Sequence, residues 1–187
     1  MDKSTACAMA MNAIGKTSYA SGTPGGEACD LYFGQIYTEL LARHDWSFAR
    51  RRVTLKKNAD GAYRVPPDCL RIVELTGLRN WRIYNEHICP EEGAVPEGDV
   101  VIVYTSSQLA DMGLVPNRVP MFARVLVLRL AAALAAAVSH DDTKSGYFLS
   151  MAHRELLEAM TLDTQQDNSN DQHPLDRVLY NSITKEV

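Results

Sequence analysis

The sequence predicts an α+β chain: a helical bundle, an inserted antiparallel β-sheet or sandwich, and an extended C-terminal tail. Three observations predict it. Helix-period apolar patterns occupy both ends of the chain. Short β-rich runs separated by turn residues fill residues 46–118. Apolar spacing then collapses into a polar run after residue 164. The bundle is therefore assigned to residues 1–45 and 119–164, the β insert to 46–118, and a partner-binding tail to 165–187.

Residues 5–14 (TACAMAMNAI) are rich in Ala and Met and read as a helix, with Gly15 and Lys16 as its stop signal. Gly15, Lys16 and Thr17 also match the second half of a phosphate-binding loop, G-x-x-x-x-G-K-[ST]. That loop needs a glycine at position 10, where Ala10 stands, and a buried strand before it, where this chain has helical composition. A small nucleotide-using packaging protein therefore stands as an alternative only. Residues 27–43 form the next helix, with Ala28, Leu31, Tyr32, Ile36, Leu40 and Leu41 near a 3.6-residue period. Gly34 within it marks close helix packing or a weak turn.

From Trp46 the texture changes. Strands are expected at residues 48–55, 63–65, 70–78, 81–84 and 100–105, with turns at 58–61, 66–68, 79–80, 90–93 and 96–99. Trp46 and Phe48 stand two apart, so in a strand they would anchor one face. Pro66 and Pro67 restrict the turn into the next strand, and the Asp68 side chain can accept nearby backbone N–H groups there.

Residues 121–139 (MFARVLVLRLAAALAAAVS) are apolar on nearly every face, broken only by Arg124 and Arg129. A membrane span needs about twenty apolar residues, and two arginines in its first half would each cost several kcal/mol. Burial in protein is the expectation, with the alanines suited to contact between neighbouring subunits. A last helix is expected from Asp141 or Asp142 to Thr164, with Tyr147, Phe148, Met151, Ala152, Leu156, Ala159 and Met160 on its apolar face. The run TQQDNSNDQHP, residues 164–174, cannot bury enough apolar surface to fold alone. Beyond it Leu175, Val178, Leu179, Tyr180 and Ile183 are apolar, a tethered end suited to ordering on a partner.

The chain has 187 residues, 46% of them hydrophobic and 22% charged, which fits one globular domain with an insertion. A net charge of −4 argues against general affinity for nucleic acid. Cys7, Cys29, Cys69 and Cys89 include no C-x-x-C pair and read as reduced, buried thiols of a protein made in the cytoplasm. The start MDKSTACAM has no apolar signal core. The five histidines show no metal-binding spacing, and no G-x-S-x-G elbow occurs. His140-Asp141-Asp142 and Glu91-Glu92 read as solvated charge. The chain is thus expected not to be an enzyme, with no catalytic residue, metal ligand or cofactor. One asymmetry remains: residues 43–82 hold ten basic groups and four acidic ones, net +6, which leaves −10 for the rest. Arg50 and Arg52 would share a strand face with Arg51 opposite, a candidate contact for an acidic partner or DNA. A plain DNA-binding protein is the alternative this suggests.

Two stretches say more: LLARHDWSFARRRVTL, residues 40–55, and YRVPPDCLRIVEL, residues 63–75. With the opening AMNAIGKTSYAS and the later LAAALAA, they resemble, in order, the tail tubular protein A family, the head-to-tail adaptors of short-tailed bacteriophages. The signature residues here are Trp46, Phe48, Pro67, Asp68, Leu70 and Arg71, and the resemblance covers about residues 6–160. It implies a helical bundle with a β insert and a structural role in the virion. It further implies a homo-oligomeric ring, a dodecamer, under the portal protein. That ring would join the portal to the tail nozzle, a tail tubular protein B-like partner, and line a channel for double-stranded DNA during ejection. The C-terminal extension of such proteins embraces the portal, the part expected here of Leu175, Val178, Leu179, Tyr180 and Ile183.

Overall fold

The structure, a computed structural model, describes residues 1–16, 19–20, 22–91 and 98–167. The fold is α+β: among the described residues are five α-helices and two small antiparallel sheets. Helix α1 (Lys3–Ala13) begins on Asp2, whose carboxylate accepts the Thr5 N–H at 2.8 Å. It ends through Gly15, whose φ of +82° is the left-handed conformation glycine permits. The N–H groups of Gly15 and Lys16 donate back to the carbonyls of Asn12 and Met11, each at 3.0 Å. The glycine–lysine pair is therefore a helix C-cap, as its composition predicts. Thr17 lies outside the described residues.

Helix α2 (Pro24–Arg43) starts at Thr23, whose hydroxyl accepts the Gly26 N–H at 3.1 Å. A Cβ on Gly26 would collide with the Ala20 carbonyl oxygen, so this cap needs glycine. Gly34 is different: nothing stands within 4 Å of where its Cβ would be, so it marks no close packing within this chain.

Helix α4 (Pro120–Ser139) is the axis of the bundle. Phe122, Val125, Leu126, Leu130, Ala131, Leu134 and Ala135 are each 1% exposed or less. Among the residues of α4, Pro120, Arg124 and Ala137 alone are exposed. As expected, this helix is buried in protein, and α1, α2 and α5 of the same chain pack around it. It is the one described helix long and apolar enough to cross a bilayer, and its arginines meet carboxylates: Arg124 lies 2.8 Å from Glu155 and Arg129 3.0 Å from Glu39.

Helix α5 (Asp142–Asp167) runs past the expected end at Thr164. The Asp141 carboxylate accepts the Lys144 N–H at 2.9 Å, capping the helix and holding that carboxyl below the usual carboxylate range. Ala152, Leu156 and Ala159 enter the core, with Phe148 and Met160 partly buried beside them. Tyr147, expected on that face, is 60% exposed. It lies about 140° round the helix from Ala152 at 100° per residue.

Between α2 and α4 comes the insert. After a 3-10 turn (Ser47–Ala49) follow β1 (Arg50–Thr54), β2 (Tyr63–Arg64), β3 (Cys69–Thr76), β4 (Trp81–Tyr84), β5 (His87–Pro90), β6 (Val101–Ser106) and the short α3 (Gln108–Asp111). One sheet has the order β1-β6-β3 and the other β2-β5-β4. Tyr63, Leu78, Ile88, Val100, Ile102 and Tyr104, drawn from both, form one apolar cluster between them. Trp46 and Phe48 do not lie in a strand as expected, because the chain needs the 3-10 turn to pass from α2 into β1. Residues 168–187, with Leu175, Val178, Leu179, Tyr180 and Ile183, lie outside the described residues.

The cysteines depart from expectation. Cys7 of α1 and Cys29 of α2 form a disulfide, while Cys69 and Cys89 are free and half-buried. The two helices lie side by side, which brings together residues 22 positions apart. Unfolding without reductant should therefore expose two titratable thiols, Cys69 and Cys89. Reduction should cost about 3 kcal/mol and lower the melting temperature by roughly 6–12 °C, measured calorimetrically.

Candidate functional site

The six signature residues lie 25 positions apart at their extremes, from Trp46 to Arg71; the fold gathers Trp46, Phe48 and Leu70 where the insert joins the bundle, and sets Asp68 and Arg71 on the insert's own sheet. Trp46 is 1% exposed. Its indole N–H donates to the Leu40 carbonyl at 2.8 Å, which ties the exit of α2 to its own last turns. The ring packs edge-on against Phe122 at 4.9 Å between centroids, and Phe48 meets the same Phe122 at 4.9 Å. Tyr37 reaches Phe122 from α2 at 5.3 Å. Phe122 thus receives aromatic rings from both sides of the joint, each such pair contributing about 0.5–1.5 kcal/mol beyond its buried area. Leu70 of β3 packs against the bundle core from the insert.

Two carboxylates lock this joint. Asp163 of α5 is 7% exposed and accepts the Ser47 N–H at 3.0 Å and the Ser47 hydroxyl at 2.7 Å. His44 Nε2 stands 3.2 Å from Oδ2, the oxygen that accepts the Ser47 N–H, but without hydrogen-bond alignment. The second carboxylate, Asp68, follows Pro66 and Pro67 in a turn closed by Cys69 N–H to Pro66 O at 3.0 Å. Its donors differ from the expectation of backbone groups nearby. They are chiefly hydroxyls of β6: Ser106 at 2.5 Å and Tyr104 at 3.1 Å. The Arg51 guanidinium stands 3.7 Å away. Burial raises the carboxyl's pKa, but hydrogen bonds from Ser106, Tyr104 and its own backbone, with the charge of Arg51, bring it below the usual value. A carboxylate committed to this many donors holds strands together and has little basicity for proton transfer.

The arginine strand divides. β1 pairs with β6, with Arg50 opposite Thr105, Arg51 opposite Tyr104 and Arg52 opposite Val103. Arg50 and Arg52 therefore share one face of the sheet, and Arg51 takes the other, as strand alternation predicts. Arg71 is also opposite Thr105, from the far side of β6, and joins the Arg50 face. Arg50 grips Asp45 through two bonds of 2.8 and 2.7 Å. Arg51 serves Asp68. Arg52 and Arg71 are exposed. Arg50 is thus structural, Arg51 is exposed while standing near Asp68, and Arg52 and Arg71 are exposed on the Arg50 face.

Sequence reasoning named Trp46, Phe48, Pro67, Asp68, Leu70, Arg71 and the three arginines, but not His44, Asp163, Tyr104 or Ser106. Asp163 did leave a signal. It continues the spacing Ala152, Leu156, Ala159 at the next turn, so an acid stands on the buried stripe of α5. No group of three or more His, Cys, Asp or Glu able to hold a metal occurs among the described residues. Comparison with the models of known protein families finds none that matches this chain, and comparison with curated proteins finds no match.

Truncating Trp46 to Ala should cost about 3–5 kcal/mol in denaturant unfolding, because the cavity would open at the joint itself. Asp68 gives a pH signature. A carboxyl held below its unfolded value stabilises the fold above that value and loses the contribution as pH falls. The destabilisation of Asp68→Asn relative to wild type should be largest near neutral pH and shrink below about pH 4, measured by urea unfolding at both pH values.

Proposed function

We propose that this chain is the subunit of a head-to-tail adaptor ring in the virion of a short-tailed bacteriophage. In this reading it joins the portal protein to the tail nozzle and lines part of the channel through which double-stranded DNA leaves. It acts by binding alone, with no reaction, metal or cofactor, and no membrane. One observation carries the reading. Three residues of the family resemblance, Trp46, Phe48 and Leu70, pack together with the bundle core where the β insert joins it.

Other features support it. Large apolar side chains are exposed away from the bundle core: Leu31 at 70%, Ile83 at 55% and Tyr84 at 71%. Ile83 and Tyr84 end strand β4 beside the hairpin turn at Asn85 and Glu86. A subunit held between copies of itself and two other rings uses such surface. In the proposal, Leu175, Val178, Leu179, Tyr180 and Ile183 bind the portal, while Arg52 and Arg71 meet acidic protein or DNA. Charge on that outward face is what favours the runner-up, a plain DNA-binding protein. The nucleotide-using alternative loses support at Gly15, which closes a helix where a phosphate loop would open one.

Mixed with its portal and imaged by negative stain, the protein should appear as a second ring stacked on the first. A portal that stays bare would overturn the proposal. Arg52→Glu should leave the melting temperature nearly unchanged but weaken ring assembly. Salt-dependent DNA binding by the monomer, without any ring, would favour the runner-up.

A further inference from the structure

A cleft of about 330 Å³ opens in the insert, between the end of β2, the start of β3 and the end of β4. Its walls are apolar: Val65, Pro66, Leu70, Ile72 and Ile83. Arg64 and Arg71 also line it, and both are exposed. No carboxylate among the described residues forms an ion pair with either. Glu86 is the one acid in the lining, so the cleft keeps a net positive charge.

The bundle carries a surface of the opposite kind. Leu31 of α2 is 70% exposed, an apolar knob on an outer helix face. Glu27 stands one helical turn before it on the same face, also exposed, and pairs with no cation among the described residues. Gly34 stands one turn after it, exposed, with nothing within 4 Å of where a Cβ would be. Glycine inside a helix is destabilising relative to alanine, and nothing in this chain uses the room it leaves.

We propose that Leu31 of one copy seats in the insert cleft of a second copy, with Glu27 facing Arg64 and Arg71 and Gly34 letting α2 come close. Each half supplies what the other lacks. The knob is apolar and the cleft walls are apolar. The carboxylate is unpaired and so are the two guanidiniums, which present planar donors suited to a carboxylate. The whole chain divides in the same sense, with net +6 over residues 43–82, where Arg64 and Arg71 stand, and −10 over the remainder, where Glu27 stands. No residue of α2 lines the cleft, so knob and seat are separate surfaces. The contact is therefore heterologous: each copy gives its knob to one neighbour and its cleft to another. The inference deepens the ring reading above and rests on its self-association alone, not on a portal, a nozzle or DNA.

Cys69 lines the cleft with a free thiol, which supplies one end of a cross-link. The full chain carrying Leu31→Cys, treated with a short bismaleimide, should give covalent oligomers that wild type and Leu31→Cys/Cys69→Ser both lack. In a second arm, Glu27→Arg and Arg64→Glu/Arg71→Glu should each weaken self-association several-fold in sedimentation, with little change in melting temperature. All three substitutions in one chain should restore it, because every contact then pairs the exchanged charges. A Leu31→Cys chain that cross-links no more than wild type would overturn the proposal. So would a triple variant that stays as weak as its parts. A second ring on the portal without the cross-link would refute this contact and leave the adaptor reading standing. Cross-linked oligomers beside a bare portal would do the reverse.

Discussion

Helix α4 has almost no polar side to offer water, and the rest of the bundle is arranged around that constraint. A helix apolar all round must be enclosed. Here the enclosure comes from α1, α2 and α5, and the alanines at 131, 132 and 135 let those helices approach closely. The two arginines that interrupt the apolar run lie at its edges, where Glu155 and Glu39 reach them. Leu31, Tyr84 and Tyr147 are among the large apolar side chains that the core leaves outside.

The same helix sets the orientation of the insert. Phe122, in its first turns, is the surface on which Trp46 and Phe48 land, and Asp163 reaches Ser47 from the far end of α5. The chain leaves the bundle at His44 and returns at Val119, so the insert is held by packing on one side and by hydrogen bonds on the other. Asp68 extends the lock into the sheet by joining the β3 turn to β6, and Arg51 adds the strand beyond.

Much of this was legible in local pattern. The cap at Gly15, the period of α2 apart from the exposed Leu31, the unbroken apolar run of α4 and the alternation of Arg50 to Arg52 each follow from rules acting within a few residues. What could not be read depended on distance in space. Cys7 and Cys29 are linked because two helices lie side by side, and no spacing rule encodes that. Strand β5 was missed because its hairpin turns on Asn85 and Glu86 in the left-handed region, φ 46° and 61°, without the glycine that signals such turns. Pro90 then ends the strand where it seemed to begin a loop. Trp46 and Phe48 were found as anchors but given the wrong backbone, since two-residue spacing suits a strand and does not exclude a 3-10 turn. The hydroxyl donors of Asp68 lie 36 and 38 residues away along the chain, beyond any local rule.

Native-state hydrogen exchange on the free, monomeric chain tests the central claim most directly: that the apolar core face of α4 is covered by helices of its own molecule. The account predicts that the amides of α4 exchange only through global unfolding, at a rate that self-association or a partner does not change except by stabilising the whole fold. Fast exchange of α4 through local opening in the monomer, slowed only when chains assemble, would contradict it.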